Sequence, residues 1–544
     1  MGGDRRTLSL RGASTVAIAA VALVLLAALA VFFVWPVTAI LWRGIAPDGV
    51  PDPAGMLEVL ARLRTQRIIG MTLAQAAIAT CCAVLLGVPA AMVLYRLRFP
   101  GRSLARAAAM VPFVMPTVVV GIAFRVLVDG TVLEDSWWAI ILALVFFNVP
   151  VVIRTVGTAW EDLDPVLEES AADLGARPIS AFLRVTLPRL APAIASAALV
   201  VFLFCATAFG VVLVLGGARF GTVETEIWTL TTQYLDLQGA ATLSILQLVV
   251  VVGLLIATSR FRPVSELRTP SAGRAPRAGD WPVLASTAVT AILLAAPIVV
   301  LILRSLRDGP DWTLDNYLAL GSLGGRTTIA IPPLAALGNS LAFGAGAAAI
   351  ALAFGLAASV LLSRPARSRA MRRFVAALDG ALMLPLGVSA VTVGFGFLIA
   401  LDRPPLDLRT SALLVPIAQA LVAVPLVIRM LLPVLRGVDP LLRDAAADLG
   451  AGPWAVLRTI DLRLVARPVV AAGGLAFAMS LGEFGATAFL SRGDQATLPV
   501  LIERLASTPG PGNFGVATAA SVLLAAVVAL VLGAAELGQP RRHA

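Results

Sequence analysis

The chain is 544 residues long, 59% hydrophobic and only 14% charged, with a mean hydropathy of +0.92. Soluble domains are nearer half apolar and a quarter charged, so this composition belongs to an integral membrane protein. The formal net charge of +10 does not indicate nucleic acid, because the arginines sit in short loops and no basic, aromatic-interleaved polar domain accompanies them.

In chain order, Arg5, Arg6 and Arg11 precede an apolar run that continues to about Trp42. That run is too long for a signal peptide and no small-residue cleavage site closes it, so it reads as a retained first span. Apolar segments of spanning length fall at 14–36, 68–95, 106–128, 138–157, 190–215 and 241–258. A polar linker, SRFRPVSELRTPSAGRAPRAGD, runs from Ser259 to Asp280. A second set follows at 281–303, 338–362, 375–401, 411–433, 466–490 and 515–535. The expected fold is all-α: about twelve transmembrane helices, six from residues 1–258 and six from 281–544.

Arginine placement gives the expected topology. The N-terminus, the loop Arg96–Arg106, the linker (Arg260, Arg262, Arg268, Arg274, Arg277), the loop Arg364–Arg373 and the tail (Arg541, Arg542) fall on one side if the spans alternate. That side is the cytoplasm, with both termini on it. Asp129, Glu134, Asp135, Glu224, Glu226 and Asp236 fall on the other.

Two cytoplasmic segments stand apart from the spans. Residues 164–188 read DPVLEESAADLGARPISAFLRVTLP, and 439–463 read DPLLRDAAADLGAGPWAVLRTIDLR, an ungapped match at an offset of 275 residues. Asp164 and Asp439 read as N-caps, each with proline at the first helical position. Gly175 and Gly450 can end those helices in the left-handed conformation, and Pro178 and Pro453 can start the next. The prediction is helix, glycine corner, helix, once per half. The repeat extends to VPVVIR (149–154) with VPLVIR (424–429), Phe209-Gly210 with Phe484-Gly485, and Thr222 with Thr497. MVP (110–112) with Gly121 matches MLP (383–385) with Gly394 at a slightly smaller offset. An even number of spans per half makes these parallel repeats about an axis along the membrane normal.

Catalysis and metal binding find no support. The chain has no lysine, so it cannot carry a P-loop, and its one histidine, His543, is at the tail. Cys81, Cys82 and Cys205 lie in apolar runs and read as small hydrophobes. Polar groups within spans are the remaining candidates. Glu483 lies deep in the eleventh expected span, to face the pathway and attract a cation or to be buried and neutralised between helices. Asn148, near the middle of the fourth, is an interhelical hydrogen-bonding group or a substrate contact. Phe209 and Phe484, each followed by glycine, are gates or ordinary packing. Arg154 and Arg429 are expected to support the duplicated cytoplasmic helices; Arg125, Gln75 and Gln419 are weaker candidates.

The segments ESAADLG (169–175) with TLP (186–188), and DAAADLG (444–450), resemble the EAA motif of binding-protein-dependent ABC importer permeases. The resemblance implies that these are coupling helices inserting into an ATPase subunit. By position, Glu169, Ala171, Ala172, Asp173 and Gly175 would make that contact in the first half. Asp444, Ala446, Ala447, Asp448 and Gly450 would do so in the second, where Asp444 replaces the usual Glu and Arg463 stands where the first copy has Pro188. Two copies in one chain resemble the fused permeases for thiamine and for ferric iron. LVFFNVP (144–150), VLGGARFGTVETEIW (214–228) and SLGEFGATAFLSRGDQATLP (480–499) resemble the thiamine type.

The implied partners are an ATPase dimer carrying ATP and Mg, a periplasmic or lipoprotein substrate-binding protein, and the lipid of a bacterial inner membrane. The implied substrate is thiamine or its phosphates. Alternatives are ferric iron, then molybdate or sulfate, and, from another class, ion-coupled secondary transport. Only Glu483 answers to the intramembrane ionisable residues that the last would need.

Overall fold

The computed structural model describes residues 19–47, 49–217, 219–260, 273–326, 329–364, 368–402, 407–408 and 411–537. The start of the first expected span, linker arginines Arg262 and Arg268, and tail residues Arg541, Arg542 and His543 lie outside them. Nearly every described element is a helix, because a backbone crossing lipid must satisfy its own hydrogen bonds.

The first half supplies α1 (Ala19–Ile45), α2 (Pro53–Ala61), α3 (Leu63–Arg96), α4 (Arg102–Val114), α5 (Thr117–Val128), α6 (Trp137–Glu161) and α7 (Pro165–Asp173). It continues with α8 (Ile179–Ala206), α9 (Gly210–Gly216), α10 (Val223–Thr229) and α11 (Leu237–Arg260). The second half begins with α12 (Trp281–Ser305), a small hairpin of β1 (Arg307–Asp308) and β2 (Asp311–Trp312), and α13 (Pro333–Ser363). Then come α14 (Arg369–Met383), α15 (Ala390–Ala400), α16 (Leu414–Arg436), α17 (Pro440–Asp448) and α18 (Trp454–Gly482). The chain closes with α19 (Gly485–Leu490), α20 (Leu498–Ser507) and α21 (Asn513–Leu537).

Ten helices among the described residues are long and apolar enough to cross a membrane, and two bent pairs make twelve if each pair counts as one span. The bent pairs correct two expected spans. Segment 106–128 is not straight: α4 and α5 meet at 99°, and α14 meets α15 at 98°. Pro116 drives Met115 extended (φ −64°, ψ 138°), which ends α4. In the second half a short turn at Leu384–Gly387 and an extended Val388 do the same, and Ser389 caps α15 by accepting from Thr392 N–H. The arginine-bearing limbs, α4 and α14, are amphipathic, as helices in the interface plane are. Segments 190–215 and 466–490 are also interrupted, because α8 stops at Ala206 and α18 at Gly482 before the short helices α9 and α19.

The chain forms two compact units, and they do not coincide with the halves of the sequence. One comprises 43–328 with 502–525; the other comprises 1–42, 329–501 and 526–544. The first span therefore packs with second-half helices: Ala22 and Leu25 share a core with Ala358, Leu378 and Ile428. Conversely α12 packs with first-half helices, and Thr290 Oγ1 donates to Leu86 O at 3.4 Å.

Within each unit the same helix pair forms the centre, α3 with α6 and α13 with α16. Gly87 sits against Val152, and Gly355 sits against Val427. A Cβ there would meet those valines at 2.6 Å and 2.5 Å respectively, so only glycine lets the helices approach. The valines are 275 residues apart but the glycines only 268, which places a seven-residue length difference between these helices.

Candidate functional site

The duplicated segments 164–188 and 439–463 fold as expected, as a nine-residue helix, a glycine corner and a second helix. Asp164 accepts from Val166 N–H at 3.0 Å, and Asp439 from Leu441 N–H at 2.9 Å. Gly175 and Gly450 adopt φ of +83° and +84°, and Ala176 and Ala451 close each corner by donating to Ala171 O and Ala446 O. Glu169, Asp173, Gly175, Asp444, Ala447, Asp448 and Gly450 are exposed, Ala171 and Ala446 are half-buried, and Ala172 is helical. The residue before each glycine is a leucine almost fully in solvent, Leu174 at 89% and Leu449 at 90%. Val166, Ile179, Leu441 and Trp454 are exposed beside them. Acids around a bare leucine make a surface that gains by covering, since burying one leucine contributes about 1.5–3 kcal/mol.

Each corner is fastened to the rest of its unit by three residues. In the first half Arg96, the last residue of α3, donates to Glu168 of α7 at 2.9 Å, and Thr186 Oγ1 donates to the same carboxylate at 3.0 Å. In the second half Arg364, just past α13, donates to Asp461 at 2.6 Å, and Arg443 of α17 donates to it at 2.9 Å. Glu168 and Arg443 are equivalent positions, as are Thr186 and Asp461. The acid has changed helices while the arginine it serves has not. Thr186 and Asp461 both lie in a π turn, Phe182–Thr186 and Leu457–Asp461, at the root of α8 and α18. The extra residue of such a turn re-aims a side chain, here towards the corner.

The linker joins this cluster in the first half. Arg98 N–H donates to Arg274 O at 2.8 Å, and Arg274 N–H donates to Arg96 O at 2.9 Å. The Arg274 guanidinium grips Asp280 with two bonds of 2.7 Å, which, with Arg277 N–H, holds the Asp280 carboxyl below the ordinary range. A further arginine pair, Arg102 and Arg106, converges on Glu161 at the end of α6.

The intramembrane candidates are placed as follows. Glu483 is not deep within a continuous helix. It sits at the break after α18, where its carboxylate accepts from Ala486 N–H at 2.7 Å, Thr487 N–H at 3.1 Å and the Thr487 hydroxyl. It caps α19. Phe484, next in sequence, is buried, as is Phe209, whose ring meets Trp228 edge-on at 6.1 Å. Asn148 is buried on α6 and donates to Leu144 O at 2.9 Å and, across to α8, to Cys205 Sγ at 3.4 Å. Arg125 donates to Ala506 O and lies over the Phe514 ring. Gln419 reaches Thr487 at 3.5 Å, and Gln75 is buried. Arg154 and Arg429 are exposed on α6 and α16, which run almost two turns past them.

The three-residue fastenings were not foreseen. Their signal was a charge inversion between aligned copies, Glu168 against Arg443, and it had no meaning until Thr186 and Asp461 were seen across from them.

The described residues thus form a helical membrane protein with one exposed, acid-flanked corner in each repeat. Residues 83–263 match the family described as binding-protein-dependent transport system inner membrane component. The chain is 28% identical over 454 residues to the thiamine transport system permease protein ThiP of Escherichia coli K12, covering 78% of this chain and 80% of that protein. It is 27% identical over 504 residues to ThiP of Brucella abortus strain 2308, covering 88% and 89%. A probable sulfate transport system permease protein, cysT of Nephroselmis olivacea, is 33% identical over 207 residues, 34% of this chain and 71% of that one. The chain belongs to the binding-protein-dependent transport permeases, as a fused ABC importer permease.

Proposed function

We propose that this chain moves thiamine or its phosphates into the cytoplasm as the membrane subunit of an ATP-driven importer. The observation that carries the substrate is the match to thiamine permeases along most of both chains, through both repeats. The Nephroselmis sulfate relative matches only about a third of this chain. In this reading α7 and α17 with their corners, Glu169 to Gly175 and Asp444 to Gly450, seat in a pair of ATPase subunits. ATP and Mg belong to those subunits, since a chain without lysine has no P-loop. A substrate-binding protein delivers from the opposite side, and the arginine-rich loops and both termini face the cytoplasm. ATP-driven closure draws the corners together, and the attached helices tip the pathway from inward to outward.

Uptake of labelled thiamine and, separately, ferric iron, in cells with and without the chain, tests the substrate. Loss of thiamine uptake alone is the expected result; loss of iron uptake alone overturns it.

A further inference from the structure

The corners can do work only if something stiff connects them to the outer half of the membrane. In each unit one helix is tied at both ends by equivalent contacts. Towards its outer end, nine residues in from Leu63, α3 carries Thr72, whose hydroxyl accepts from Val223 N–H, the first residue of α10, at 3.0 Å. At the same place on α13, Ser340 accepts from Leu498 N–H, the first residue of α20, at 2.8 Å. At the inner ends stand Arg96 and Arg364 with the corner acids, Glu168 and Asp461. Thr72 to Arg96 and Ser340 to Arg364 are the same 24 residues, so the tie points are about 36 Å apart along a helix. Between them Gly87 and Gly355 lock the helix against α6 and α16.

A position kept by conserving one amino acid is ordinary. Here the interaction is kept while the amino acids change: serine for threonine outside, and inside an acid that has moved from the corner helix to the helix root. That pattern points to the tie, not the residue, as what the protein needs.

We propose that α3 and α13 are the struts that carry each corner's displacement to the short outer helices α10 and α20, with Arg96 and Arg364 as the positioning residues at the inner joints. This rests on the corners being the ATPase contacts. When a corner is pushed, the guanidinium transmits the movement along the strut, and the hydroxyl tie passes it to the N-terminus of the outer helix. Glu168 and Arg443 face inward to this joint, so they serve the permease itself, whereas the neighbouring Glu169 and Asp444 face out.

The two halves supply the test, because the second half's wiring can be installed in the first. The full complex with its ATPase subunits and binding protein is reconstituted, and thiamine transported per ATP hydrolysed is measured. Glu168→Arg should set two arginines against each other, keep the ATPase subunits bound, and lower transport per ATP by roughly tenfold, within the usual range of coupling free energies. Adding Thr186→Asp, which copies the Arg364–Asp461–Arg443 arrangement, should restore the ratio to within about twofold. Co-purification of the ATPase subunits and monodispersity in detergent show that each variant is assembled. Unchanged coupling in Glu168→Arg overturns the proposal, and so does an assembled double variant that stays uncoupled. Leu174→Asp with Leu449→Asp tests the premise separately. If that variant retains its ATPase subunits and transports normally, the corners are not the contacts, and the strut proposal falls with that reading. If it loses the ATPase subunits while Glu168→Arg remains coupled, only the strut proposal fails.

Discussion

The Arg364 guanidinium donates to Asp461 at 2.6 Å, and the Asp461 side chain, 1% exposed, also accepts from Arg443. One buried carboxylate thus neutralises two arginines from different elements. Removing it strands both charges, whereas removing either arginine leaves the other. We expect Asp461→Asn to lower the unfolding free energy by about 2–3 kcal/mol, below the full cost of breaking a buried pair because the arginines retain some water. Glu168→Gln removes a more exposed carboxylate, 34% against 1%, that serves one arginine, and should lower that free energy by about 1 kcal/mol. Thermal unfolding in detergent, monitored by circular dichroism, gives both, and equal shifts would refute the ranking.

The central helix pair makes a second prediction. Gly355→Ala adds a methyl 2.5 Å from Val427 Cγ1, inside contact distance, and should destabilise by about 1–3 kcal/mol. Val427→Ala removes the obstructing group. The double variant should therefore be more stable than the sum of the single changes by at least about 0.5 kcal/mol, and simple additivity would show that the helices relax apart instead.

At the corners the cost lies in the backbone. Gly450 has φ +84° and nothing within 4 Å of an added Cβ, so Gly450→Ala strains only the left-handed conformation, by about 1–2 kcal/mol. The corner is held locally and its leucine is free in solvent, so the strain should distort the corner rather than unfold the unit. We expect weaker retention of the ATPase subunits with a melting shift of only a few degrees. Normal retention would show that the corner geometry is not what the partner reads.

Glu483 accepts from two backbone N–H groups and one hydroxyl. Glu483→Ala leaves those donors unpaired and should destabilise by about 1 kcal/mol, as loss of a helix cap does. Glu483→Gln keeps one carbonyl acceptor and should lose less. If the carboxylate instead attracts a cationic substrate, the Gln variant should raise the KM for thiamine while leaving the melting temperature unchanged, and the two readouts separate the roles.

Asp280 gives a pH dependence outside the membrane. Its hydrogen bonds with Arg274 favour the ionised form most, with Arg277 N–H adding to them, so its folded pKa lies below the ordinary value of 3.8. The linkage therefore supplies stability that is present above that value and is lost as pH falls through the lower folded pKa. Hydrogen exchange at the Arg274 and Arg98 amides, corrected for intrinsic rates, should rise as the pH is brought below about 4. Asp280→Asn should exchange faster at neutral pH and show no such acid step.

Much of this architecture is legible in the sequence because lipid permits few solutions. An apolar run of about 20 residues must be a helix. Asp-Pro before a helix and glycine after it were similarly readable at 164–175 and 439–450, since capping and a left-handed φ are local properties. The breaks at Met115, Val388, Ala208 and Glu483 were not. Hydropathy averages over a window, so it joins α4 to α5 and α18 towards α19 although the backbone turns between them.

Sequence by itself determined the membrane class, the repeated motif and the two exposed corners, all of which rest on composition or on contacts between near neighbours. Only the tertiary structure decided which span packs in which unit, that Glu483 caps a short helix, and that Glu168 and Asp461 hold equivalent arginines. Those are contacts between residues far apart in the chain, such as Arg364 and Asp461, and no local rule links their identities. The acid can stand on either helix of the joint, because electrostatics asks only that a negative charge lie near the arginine.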